Sequence, residues 1–145
     1  MNWSNGQIPP EALHQLAKDL FNQASVARLL GLRECGGILQ YQSADVERMA
    51  AHAAVDTPDR PFRSELLFTA AWRMACCDRL AEFEALIAEG LAGHPPEDLA
   101  SKMAALRSTV RERARGNHPR AERGLLTPTP AVLRYMAQQC PVCLN

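Results

Sequence analysis

β-Branched side chains are scarce in this chain: six Val, three Ile and five Thr stand against 23 Ala and 18 Leu. No stretch longer than a few residues alternates apolar and polar with period two. A sheet protein is therefore excluded. Ala and Leu lose little freedom in a helix, whereas β-branched residues are restricted there, so the composition predicts an all-α fold. No apolar run approaches the ~18–20 residues that a membrane span requires. Met1 to Pro10 is polar, without a basic leader or an apolar stretch, and no secretory signal is expected. Five cysteines, an odd number with no export signal, read as reduced thiols of a bacterial-style cytoplasm. Gly-rich phosphate loops, HExxH and GxSxG are all absent, so catalysis is poorly supported and no cofactor is expected.

What is present is enough for one real core. The chain has 145 residues and is 47% apolar, ordinary for a globular protein and too high for a disordered one. A chain of this size buries roughly 68–70% of the surface exposed when unfolded. The expected architecture is a single compact helical bundle of about five or six helices over residues 1–145, with flexible ends at 1–9 and 140–145.

The helices can be placed by their apolar spacing. A first helix opens at Pro9–Glu11, since proline is tolerated in the first turn, and Leu13, Leu16, Ala17, Leu20, Phe21 and Ala24 form its stripe. Ser25 is expected to cap a second, short helix ending at Gly31, with Gly36–Gly37 as an irregular link. Ser43 reads as the N-cap of a helix from Ala44 to about Ala54. Val55–Pro61 reads as a loop. The longest pattern runs from Phe62 to Glu89 and is apolar nearly all round as far as Cys77, which puts it at the centre of the bundle; Gly90 and Gly93 stop it. Pro95–Asp98 opens the next helix, where Leu99, Met103, Leu106 and Val110 give a narrow seam until Gly116. Thr129 and Pro130 begin a last short helix. The predicted core is Leu13, Leu16, Leu20, Phe21, Leu66, Leu67, Trp72, Met74, Leu80, Leu106 and Leu133.

A formal net charge of zero hides two opposite halves. Residues 1–98 carry fourteen Asp and Glu against eight Lys and Arg, while residues 99–145 carry eight basic side chains against Glu112 and Glu122. Lys102, Arg107, Arg111, Arg113 and Arg115 belong to the Leu99–Arg115 helix, and Arg120 and Arg123 follow it. Arg is always charged and suits bidentate contact with phosphate or carboxylate, so these seven residues are the candidate partner-binding surface. The competing reading is a solvated face paired with the chain's own Glu82, Glu84 and Glu89 on the preceding antiparallel helix. Aromatic residues are missing from the block apart from Tyr135 at its edge, which argues against stacking on single-stranded nucleic acid.

Three short patterns remain. Ala24–Leu32, with small Ala27 and turn Gly31, resembles the first helix and turn of a helix-turn-helix, and Tyr41–Met49 is loosely similar to the segment after the reading helix of MerR-type regulators. That resemblance implies a recognition helix at Glu34–Tyr41, although Gly36–Gly37 and a single nearby Arg suit base reading poorly. Cys140-Pro141-Val142-Cys143 offers one side of a zinc site, but zinc takes four ligands. Cys35, Cys76, Cys77 and His118 are the available completions, Cys76 and Cys77 read as core packing, and no metal site is expected. Arg113 and His118 resemble, in residue types and spacing, the pair that acts on RNA phosphate in the HEPN ribonucleases, which implies a small helical ribonuclease. His14, His52 and His94 have no acid or nucleophile at a meaningful sequence offset.

The function expected from these observations is that of a non-catalytic regulatory or adaptor protein. It would dock on an acidic protein partner through the basic surface, with apolar neighbours giving the affinity. Nucleic-acid binding through the same arginines is the rival expectation.

Overall fold

A computed structural model describes residues 8–115 of the chain. Five helices make up 81% of those residues, without strands: α1 Pro10–Leu29, α2 Arg33–Ala53, α3 Phe62–Cys76, α4 Leu80–Ala92 and α5 Glu97–Arg115. The protein is an all-α bundle, and residues 116–145, including Leu133 of the predicted core, lie outside the described residues.

α1 starts with proline in its first turn and Glu11 near its positive end. It buries Leu13, Ala17, Phe21, Ala24 and Ala27. Ser25 does not begin a new helix, because its Oγ donates to the Phe21 carbonyl one turn back and points along α1. The stop comes at Gly31, whose φ of 81° is left-handed; there the Leu32 N–H closes on the Ala27 carbonyl at 2.8 Å. Leu16 is 47% exposed and Leu20 is half-buried, so the buried stripe of α1 is narrower than its apolar one.

α2 is one helix where the sequence suggested a link and a new start. Gly36 lies inside it and is buried: a Cβ there would stand 2.7 Å from Arg28 Cγ and 3.2 Å from the Ala24 carbonyl oxygen. The glycine is a point of close helix approach, not a break. Ser43 is not a cap either; fully buried, its Oγ donates across the interface to the Ala17 carbonyl at 2.6 Å. Pairing of Gly36 with Ala24, Ser43 with Ala17 and Glu47 with His14 makes α1 and α2 an antiparallel hairpin. This overturns the helix-turn-helix reading, whose two helices would meet at about 90–120°.

After the loop, Asp56 accepts from both the Ser64 N–H and its hydroxyl and so holds the first turn of α3. Every residue of α3 from Leu66 to Ala75 is buried, and the helix packs on α2, α4 and α5. It ends at Cys76 rather than continuing to Glu89. Asp78 takes a left-handed φ of 69°, and the Arg79 N–H turns back onto the Met74 carbonyl at 2.9 Å. Asp is among the few residues that tolerate this conformation, so the break needs neither Gly nor Pro. α4 buries Phe83, Leu86, Ile87 and Gly90, while Leu80 is half-buried. Gly90 does not stop α4; the Met103 methyl occupies the space a Cβ would need, 2.8 Å away. Gly93 is the C-cap. In α5 the seam is confirmed, with Leu99, Met103 and Leu106 buried and Val110 half-buried.

Cross-helix contacts set the directions. His14 meets Phe62 and Phe21 meets Trp72, so α1 and α3 are parallel. Glu47–Arg73 and Tyr41–Arg79 make α2 and α3 antiparallel. Met103 on Gly90 and Arg111 on Glu84 do the same for α4 and α5. Residues 10–115 therefore run up and down in five passes. One end of the bundle carries the α1–α2 turn, the α3–α4 turn and the last turn of α5, and the other carries residues 54–61 and the α4–α5 turn.

Candidate functional site

Helical register divides the basic block before any contact is considered. At 3.6 residues per turn, Lys102 and Arg113 lie about three turns apart on one edge of the buried seam of α5. Arg107, Arg111 and Arg115, spaced by four, lie on the other edge. The seven predicted residues thus form no single face among those described, and Arg120 and Arg123 lie outside the described residues.

On the α4 edge, Arg111 grips Glu84 bidentately, with Nε and a terminal nitrogen at 2.7 and 2.6 Å from its two oxygens. These hydrogen bonds hold the Glu84 carboxyl below its ordinary pKa and raise that of Arg111. Of the three acids expected to pair with the block, Glu84 does so, through Arg111, while Lys102 lies 3.7 Å from Asp98 on its own helix. Glu82 meets Arg79 at 3.7 Å, and Glu89 meets His52 at 2.9 Å and Arg63 at 3.3 Å. Burial opposes ionisation of Glu89, but the hydrogen bonds from His52 and Arg63 outweigh it and lower its pKa.

On the other edge, α1 and α5 stand apart above α3 and leave a cleft of about 370 Å³. Lys18 comes from α1, Lys102 from α5 and Arg60 from the loop, while Phe62, Leu66 and Arg73 of α3 form the floor. Glu65 and Asp98 are its acids. Beneath the floor is a buried ion network. Glu47 is fully buried and Arg73 is 1% exposed; they pair at 3.0 Å, and His14 Nδ1 lies 2.8 Å from the second Glu47 oxygen. Arg73 also lies 5.0 Å over the Phe21 ring. His14 and His52 therefore do have acids, Glu47 and Glu89, contributed by other helices.

A third feature sits at the α1–α2 turn. Val26, Leu29, Leu30, Leu32 and Ile38 are all more than half exposed, Leu29 reaching 87%. Arg28 and Arg33 stand among them, both exposed and in no ion pair among the described residues. Sequence reasoning passed over this patch, because it placed Leu29 and Leu30 in a short helix ending at Gly31.

The remaining candidates are quickly placed. Among the described residues no group of three His, Cys, Asp or Glu side chains could hold a metal ion. Cys140, Cys143 and His118 lie outside those residues, and Arg113 occupies the last turn of α5. Burial, reinforced by Cys77, pushes the Cys76 thiol up to about 12; burial also pushes Cys77 up to about 11. Raised in this way, both thiols form little of the reactive thiolate. Among the described residues no helix is long and apolar enough to cross a membrane. Comparison with protein-family models, curated proteins and solved structures gives no match to this chain.

Proposed function

We propose that this protein is a non-catalytic adaptor that docks the hairpin end of its bundle on an acidic, amphipathic segment of a protein partner. The observation that carries the reading is the exposed apolar group Val26, Leu29, Leu30, Leu32 and Ile38 with Arg28 and Arg33 set into it. Contiguous exposed apolar side chains on a soluble bundle mark an interaction surface. Leucines supply anchors that lose water on contact, and arginines steer and orient acidic groups around them. Arg115, at the same end in the last turn of α5, adds to the positive field. The split of Lys102–Arg115 over two edges of α5 removes the continuous basic track that phosphate binding would favour, so protein is the better-supported partner.

Photo-cross-linking in the native host tests this. A photoreactive residue at position 29 should capture a protein through an acidic segment, while the same probe at Ser108 should not. Leu29→Ser/Leu30→Ser and Arg28→Glu/Arg33→Glu variants should each lose the adduct. Equal capture from both positions would refute the reading. Binding of DNA or RNA that weakens steeply with salt and disappears with Arg111, Arg113 and Arg115 replaced by Ala would favour the nucleic-acid alternative.

A further inference from the structure

The cleft between α1 and α5 has the composition of a ligand site and is independent of the docking end. Its volume of about 370 Å³ falls within the range of small-molecule pockets, roughly 300–1,000 Å³. Apolar wall and convergent charge are both present: Pro61, Phe62, Leu66 and Leu99 on one hand, Lys18, Arg60 and Lys102 on the other.

The charge in the cleft is available to an anion. Lys18 is half-buried on α1 and makes no ion pair among the described residues. The guanidinium carbon of Arg60 lies 3.8 Å from the centre of the Phe62 ring, a cation–π contact that holds it at the cleft. The loop that carries Arg60 is itself held by reciprocal backbone hydrogen bonds with Thr57 at 3.0 and 3.1 Å. Lys102 reaches Asp98 only at 3.7 Å, and that carboxylate is 77% exposed, so water screens the pair and a better acceptor can replace it. Glu65 and Asp98 face three cations around the rim. In the floor, the charge of Arg73 is balanced by Glu47, which also locks the guanidinium in place. A floor held this way needs little reorganisation when a ligand arrives.

We propose that this cleft binds a small organic anion, an apolar ring or short chain bearing a carboxylate or phosphate. The apolar part lies against Pro61, Leu66 and Leu99, and the anionic group sits between Lys18, Arg60 and Lys102.

Phenyl phosphate titrated into the full chain and followed by amide NMR tests the assignment, with benzylamine and inorganic phosphate as companions. Phenyl phosphate should give saturable shifts confined to residues around Lys18, Arg60, Phe62 and Lys102. Benzylamine, with the same ring and opposite charge, should give none, and inorganic phosphate should bind more weakly than phenyl phosphate. Lys18→Gln/Lys102→Gln should raise the Kd by about tenfold or more. Each lysine is also changed singly, so that loss of binding can be separated from loss of fold. Leu29→Ser/Leu30→Ser should leave binding intact, which separates this site from the docking end. No saturation by about 10 mM phenyl phosphate, an equal response to benzylamine, phosphate binding as tight as phenyl phosphate, or shifts centred on the hairpin end would each overturn the proposal.

Discussion

Replacing Arg73 by Met strands a buried carboxylate. Glu47 is fully buried and is held by two partners, Arg73 at 3.0 Å and His14 at 2.8 Å. His14 is on α1 and part exposed, so after the change Glu47 keeps one side-chain partner, reached from the rim of the cleft. Breaking a buried pair from one side costs about 3–5 kcal/mol, because the remaining charge has no water and too few donors. For a chain of this length about 1 kcal/mol moves the Tm by roughly 3–4 °C, so Arg73→Met should lower it by about 10–20 °C. Removing both charges together, as Glu47→Leu/Arg73→Met, leaves no stranded ion and should fall within about 1–2 kcal/mol of the parent. The two changes are therefore strongly non-additive, with a coupling of at least about 4 kcal/mol in a double-mutant cycle. Urea and thermal unfolding followed by circular dichroism measure all four proteins. A loss below about 1 kcal/mol for Arg73→Met, or a double variant as damaged as the two single losses summed, would refute the reasoning.

Four further predictions can be checked on the same material. Gly36→Val forces α1 and α2 apart against Arg28 and the Ala24 carbonyl and should cost about 1–3 kcal/mol in urea unfolding. Its neighbour Gly37 has no atom within 4 Å of a built Cβ, so Gly37→Ala should gain about 0.5–1 kcal/mol from helix propensity alone. In a Cys140→Ser/Cys143→Ser background, Cys35, which is exposed, should react with a thiol reagent at pH 8 at least about a hundred times faster than Cys76 or Cys77, until urea levels the rates. Glu84 and Glu89 have folded pKa values below their ordinary 4.5, so their stabilisation is present above that value and lost as pH falls through the folded values; Glu84→Gln should flatten the Tm-against-pH curve below about pH 5.

Much of the fold was legible because periodicity and caps are local. The stripe from Leu13 to Ala24, the prolines and acids at 95–98 and the all-round apolar run of α3 each follow from neighbours a turn away. Glycine and serine were misread because the same residue does two jobs. Gly36 looked like part of an irregular link and Gly90 like a helix stop, but they are places where Arg28 and Met103 press against the backbone. Ser43 looked like a cap but bridges to Ala17. Only the packing partner distinguishes the two roles, and the partner is on another helix. The break at Asp78 was missed for the opposite reason, since it carries neither Gly nor Pro and an exposed Asp raises no alarm.

The candidate sites show the same division. The split of the basic block was available from sequence once α5 was accepted as a helix, because register alone separates Lys102 and Arg113 from Arg107, Arg111 and Arg115. Counting charge along the chain overstated the block because a helix spreads neighbouring residues around its axis. The cleft was not available in this way: its basic residues come from α1, the loop, α3 and α5, and no short window contains two of its rim cations. A lone charge in an apolar run was its one visible trace. Arg73 between Trp72 and Met74 cannot reach water from the centre of a bundle, so an acid had to meet it there. Glu47, at a position α2 turns inward, is that acid. A buried charge in a predicted central helix therefore implies a buried partner in a neighbouring helix, and here the pair forms the floor of the cleft.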